Sequence, residues 1–240
     1  MPVLLEVAVA HERDVPGAVE GGADRLHVVG PSADGHGLSP EIPTVSAVCR
    51  DTEVPVFVLL RLNDTWTTTG GELTRLVGLA EDYLAVGATG VSFGFLDADL
   101  EVDVEVCTHV ATSLPNVPWT FHDAVDDTLD PRRAWRRLVG LPGLVHVRSA
   151  GSPRGMAEGY DDLLASAGSD PTIAALLMAG AGLQAEQVPW LLRAGVRAFH
   201  LDEQVRPGGS RKAYVDSSLL RSWRRLLDDA DDAATRQASS

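Results

Sequence analysis

Phe121-His122 and Phe199-His200 each close a short apolar run, in NVPWTFHDA and GVRAFHLDE, and each leads into an acidic, turn-rich segment. An imidazole at a strand end is suited to proton transfer near neutral pH or to holding a metal ion. Other apolar runs also carry polar residues near their ends: Glu6, His27, Arg61, Ser92, Thr120, His146 and Arg148. These side chains can act together only if their strands end at one place. A (β/α)₈ barrel provides that, because its strand C-termini open into a shared mouth.

The chain alternates strand and helix signals eight times. Predicted strands run Val3 to Val9, Asp24 to Gly30, Pro55 to Leu62, Thr89 to Leu96, Val117 to His122, Leu144 to Ala150, Thr172 to Gly180 and Val196 to Asp202. Helical periodicity follows each of them. It is clearest from Glu72 to Val86, where Leu73, Leu76, Val77, Ala80 and Leu84 recur at helical spacing. Short continuous apolar strands separated by helices indicate a parallel sheet covered on both sides. Eight units favour closure, so the expected fold is α/β, a single (β/α)₈ TIM-like barrel over residues 1–228, with 229–240 a disordered acidic and polar tail. A chain of 240 residues suits one such barrel and buries roughly three quarters of its unfolded surface. No GxGxxG follows the first strand, where the turn is AHERDVPG.

Within the strands, alternation turns Glu6, His27, Arg61, Ser92, Thr120, His122, His146, Arg148 and His200 inward. Closure makes the eighth strand a neighbour of the first, which sets Glu6 between His27 and His200 with Arg61 one strand further on. A glutamate in LLEVAV requires such partners, because a barrel strand is covered on both faces. His146 reads as a structural histidine, and His11, His36 and His109 as surface groups. Gly180 and Gly182 in MAGAGL form a tight strand-to-helix turn whose amides are candidates for an anion.

Composition narrows the chemistry. A net charge of −14 disfavours nucleic acid and anionic membranes as partners, since both are bound through basic patches. No apolar run approaches the roughly 18 residues that span a bilayer, and MPVLLEVAVA lacks a basic leader region, so a cytoplasmic protein is expected. Lys212 is the only lysine and lies in GGSRKAY beyond the last strand, which argues against a Schiff base in the mouth. Cys49 and Cys107 each fall in a predicted helix without CxxC spacing and read as small buried hydrophobes.

In order along the chain, LLEVAV, GGADRLHV, ADGHGLSPE, VPVFVLLR, GATGVSFGFLD, VPWTFHDAVDD, MAGAGL and RAFHLDE resemble the CutC family of copper homeostasis proteins over residues 3 to 225. The resemblance implies a TIM-like barrel, a cytoplasmic location, a homodimer or higher homo-oligomer, and copper as the associated ligand. It matches Glu6, Arg61, His122 and His200 to the family's first-strand glutamate, third-strand arginine and two strand-end histidines. The departures fall at the mouth. The family's LEVCVDS and GADRIELCSN correspond to LEVAVAH and GADRLHVVGP, so Ala8 and Val29 replace both cysteines and His27 replaces a glutamate. FHRAFD becomes FHDAVDD, which turns an arginine into Asp123, and Ala179 and Ala181 stand for a proline and a glycine.

Cu(I) prefers thiolates, so losing both cysteines weighs against direct copper binding. Glu6, His27 and His200 remain as a two-histidine, one-carboxylate set suited to Zn(II), Cu(II) or Fe(II). As an enzyme site the same mouth offers Glu6 or His200 as general base, His122 as acid and Arg61 as anion clamp. His27, Ser92, Arg148, Gly180 and Gly182 would contact a small sugar or carboxylate. A barrel that only binds, without catalysis, stays open as the third reading.

Overall fold

The computed structural model describes residues 2–238. Eight parallel strands, β1 (Leu4–Val9), β2 (Arg25–Val28), β3 (Val56–Leu59), β4 (Gly90–Phe93), β5 (Trp119–Phe121), β6 (Leu144–Ser149), β7 (Leu177–Ala179) and β8 (Ala198–Leu201), close into a barrel in sequence order. Around it lie α1 (Val15–Gly21), α2 (Ile42–Arg50), α3 (Gly70–Ala85), α4 (Val104–Ser113), α5 (Pro131–Leu138), α6 (Met156–Ser169), α7 (Pro171–Leu176), α8 (Val188–Arg193) and α9 (Ser217–Ala238). This is the single (β/α)₈ barrel expected from the alternation. Among the described residues no helix is long and apolar enough to cross a membrane.

The period-2 geometry of the strands divides the protein into two cores. Outward residues such as Leu5, Val7, Leu26, Val28, Val58, Val91 and Phe93 pack beneath the helices and are fully buried. Trp119 stacks on Phe93 with ring centroids 4.2 Å apart in this outer layer. The inner face is unusual. Barrel interiors are commonly filled with branched aliphatics, whereas here the register aligns Glu6 with Arg25 and His200, His27 with Phe57, Ser92 with Thr120, and Thr120 with His146. Polar groups thus fill much of the barrel axis. Phe57 provides apolar bulk, and Gly90 on the next strand leaves the space its ring occupies.

The strands are shorter than the apolar runs suggest. Residues 172–176, read as the start of the seventh strand, instead form α7. Pro171 opens it and the Asp170 carboxylate caps the Thr172 amide at 2.7 Å. An apolar run of this length has no decisive period, so local capping settles its conformation. Residues 229–238, expected as a tail, continue α9, where Ala230 packs on the core and an Arg197–Asp231 ion pair ties the helix to the segment entering β8. Residues 239 and 240 lie outside the described residues.

Candidate active site

Glu6 is 1 % exposed and sits at the centre of a charge network. Its Oε2 accepts from Arg25 Nε at 2.6 Å and its Oε1 from His200 Nδ1 at 2.7 Å. Burial disfavours the Glu6 carboxylate, but Arg25 and the His200 hydrogen bond outweigh it and hold the pKa well below the usual value. Arg25 also lies 4.1 Å over the Phe57 ring. The sequence reading missed Arg25, although it stands two residues before His27 and therefore shares its inward face.

A second arginine organises the layer above. Arg148 Nη1 meets His27 Nδ1 at 3.0 Å and His200 Nε2 at 3.3 Å, while Nε and Nη2 grip the Asp123 carboxylate at 2.6 and 3.0 Å. A guanidinium only donates, so both ring nitrogens facing it accept. The network thereby assigns the tautomers. His27 carries its hydrogen on Nε2, toward Ser92 Oγ at 2.5 Å, and His200 carries its hydrogen on Nδ1, toward Glu6. Burial and the nearby Arg148 push the His27 pKa well below that of an ordinary imidazole. A Cβ at Gly180 would crowd this layer, lying 3.1 Å from His200 Cβ and 3.3 Å from Arg148 Cγ.

Above this layer opens a cavity of about 950 Å³. Arg148, His200, Asp123 and His36 are among its lining residues, as are Ala8, Val29, Gly182, Asp202 and Arg206. Glu6, His27 and Ser92 are buried and do not line it. Asp123, expected at the mouth as a departure from the family arginine, proves to pair with Arg148, and His36 is a functional candidate not expected there. His36 had been taken for a surface group, yet it is half-buried, reaches Asp123 Oδ2 with Nδ1 at 3.4 Å, and packs edge-on against Trp66.

Two expected roles do not fit the geometry. Arg61 donates to Gly37 O at 2.9 Å and to Asp34 at 2.5 Å, and stacks over Trp66 at 4.2 Å, so its charge clamps the β2–α2 loop instead of facing the cavity. His122 accepts the Ala124 amide through Nδ1 at 3.3 Å, and its buried Nε2 has no partner among the described residues. Burial pushes its pKa down to about 3, which leaves a neutral imidazole ill suited to act as an acid. His146 fits its structural assignment, as its Nδ1 lies 3.4 Å from Arg25 Nη1.

Glu6, His27 and His200 do converge, with one ligand atom from each lying within 4.8 Å of the others. Each of the three residues already bonds a guanidinium group, Arg25 on Glu6 and Arg148 on both imidazoles.

A family model described as the CutC family matches residues 3–205. The chain belongs to the CutC family. A CutC family protein from Klebsiella pneumoniae (strain 342) is 30% identical over 214 residues, 84% of each chain. One from Xanthomonas campestris pv. campestris (strain B100) is 31% identical over 202 residues, 82% of this chain and 81% of the relative. The crystal structure of a candidate copper homeostasis protein CutC from Streptococcus agalactiae superimposes with a TM-score of 0.70 at 18% identity, covering 82% of this chain and 97% of that one, a likeness of fold.

Copper, named for that CutC relative, does not fit the residues present. No thiolate faces the mouth: Ala8 and Val29 line the cavity wall, and Cys49 and Cys107 sit in α2 and α4, outside the barrel. The three residues that converge are bonded to two guanidinium cations, whose charge opposes a metal ion among them.

Proposed function

We propose that this CutC-family chain binds a small, neutral, polar organic molecule in the barrel mouth and moves protons on it, and that it does not hold copper. Arg148 carries the proposal: it occupies the position between His27 and His200 where a cation would bind, and it keeps the His200 Nε2 lone pair at the cavity floor. His200 is then the general base, held in the right tautomer by Glu6, while His27 and Ser92 position Arg148.

Charge balance selects the ligand class. Each arginine at the mouth faces a carboxylate: Arg25 with Glu6, Arg148 with Asp123, Arg61 with Asp34, Arg206 with Asp14, and Arg211 with Asp202. Among the described residues none of these guanidinium groups awaits an anion, which favours a sugar or hydroxycarbonyl compound over a carboxylate. The net charge of −14 supports the same preference and disfavours nucleic acid and anionic membranes.

Thermal unfolding against a metabolite panel tests this. A neutral sugar or hydroxycarbonyl ligand at about 100 times its Kd should stabilise the chain by about 3 kcal/mol, raising Tm by roughly 5–10 °C. The shift should vanish in His200→Gln. Stabilisation by carboxylates alone, or by ligands indifferent to His200→Gln, would overturn the proposal, and no stabilisation at all would favour a non-catalytic barrel.

A further inference from the structure

His200 and His36 both line the cavity, and each is oriented by a carboxylate through Nδ1, His200 by Glu6 at 2.7 Å and His36 by Asp123 at 3.4 Å. Their remaining nitrogens differ. His200 Nε2 accepts a long hydrogen bond from Arg148 at 3.3 Å, and its lone pair takes a ligand proton when that contact opens. His36 Nε2 has no hydrogen-bond partner among the described residues. We infer that His36 is the general acid of this site, donating a proton from Nε2 to a carbonyl or hydroxyl oxygen of the ligand while His200 takes one from carbon. The inference rests on the proton-transfer reading above and supplies the acid that His122 does not.

The surroundings of His36 favour its charged form. Asp123 faces it from the segment after β5 and Asp34 from its own loop; Arg61 opposes them from the end of β3, and His122 and the Trp66 ring complete the packing. The Asp123 hydrogen bond outweighs partial burial and Arg61, and raises the His36 pKa above its ordinary value. His36 also sits on a segment tied down at several points. Asp34 and Gly37 O hold Arg61, and Gly35 O accepts from Arg211 across the mouth at 2.7 Å. The imidazole is therefore placed by a braced loop.

For a hydroxycarbonyl ligand the step balances without any other reactant. His200 Nε2 removes the proton on the carbon beside the carbonyl, and the C–H electron pair becomes the C=C bond of an enediol. The carbonyl π pair moves onto oxygen, which takes the His36 Nε2 proton. Reprotonation at carbon by His200 and return of the oxygen proton to His36 restore both groups.

Dihydroxyacetone in D₂O is a neutral probe for this step, with deuterium incorporation at carbon followed by NMR on the full chain. The wild-type chain should accelerate exchange, and its rate should fall at alkaline pH as His36 loses its proton. His36→Gln should lower the rate at least tenfold and abolish that alkaline limb, with Tm within about 2 °C because His36 is partly exposed on a loop. In histidine-ring NMR spectra the His36 midpoint should lie above 6.5, the ordinary imidazole value. Unchanged exchange and an intact alkaline limb in His36→Gln, with exchange lost in His200→Gln, would overturn the acid assignment and leave the base. Absence of exchange by the wild-type chain would overturn the proton-transfer reading itself.

Discussion

Arg25→Met should destabilise the chain by about 3–5 kcal/mol, because it removes the main counter-charge of a carboxylate buried on the barrel axis. For a domain of this size that corresponds to a fall in Tm of roughly 6–20 °C. Arg25 is held at 2.6 Å from Glu6, lies over Phe57, and is only 5 % exposed, so its charge acts on the carboxylate with little screening by solvent. Adding Glu6→Gln to Arg25→Met should recover more than half of the loss, since the double variant no longer buries an uncompensated charge. Denaturant midpoints of both single variants and the double variant measure the coupling. Additive effects would mean that Glu6 and Arg25 do not depend on each other.

Acidification should unfold the protein earlier than carboxylate protonation alone would. His27, His122 and His146 all have folded pKa values below the ordinary 6.5, with burial as the leading cause; that of His122 is about 3 and that of His146 about 4. A depressed folded pKa gives stability that is complete above the unfolded value and is lost as pH falls, because only the unfolded chain takes up the proton. Each such proton contributes about 1.4 kcal/mol per pH unit.

Asp126 opposes the trend. Burial pushes its pKa up to about 7 against hydrogen bonds from Ala150, Ser149 and Gly151, so it strengthens the fold as pH falls toward 4. The net slope between pH 6 and 4 is then about 3 kcal/mol per pH unit. Below that window the lowered carboxyls of Glu6 and Asp123 continue the loss. The raised pKa of His36 acts on the other side, its contribution fading as pH rises above 6.5. Urea titrations across this range should show the slope, and His122→Phe should reduce it by about 1.4 kcal/mol per pH unit. A stability that stays flat from pH 7 to 5 would contradict the assigned protonation states.

The barrel was legible because its signals are local and repeated. Eight apolar runs, each with a helical period behind it, leave few alternatives, and strand alternation correctly turned Glu6, His27, Ser92, Arg148 and His200 inward. Site geometry was less legible, because it depends on which side chain reaches which. Arg25 shares the face of His27, but nothing local shows that it crosses to Glu6. Asp123 and His36 lie in loops, where position follows from long-range contacts such as Arg148 to Asp123 and Arg61 to Asp34. His122 and Arg61 illustrate the converse. Both end strands at the mouth, yet capping of the Ala124 amide keeps one out of the cavity lining and the Asp34 carboxylate draws the other to a loop. At 172–176 an apolar run was overruled by a proline and an aspartate cap, and at 229–238 a polar segment was held helical by Arg197 and Ala230.

Isothermal titration of the purified chain with Cu(I), Cu(II) and Zn(II) is the most direct test that the mouth is a charge-balanced organic-ligand site with Arg148 in the cation's place. The account predicts no binding at micromolar metal. Stoichiometric binding that disappears in both Glu6→Gln and His200→Gln would contradict it, because the converging carboxylate and imidazole atoms would then be released from their arginines to hold a metal ion.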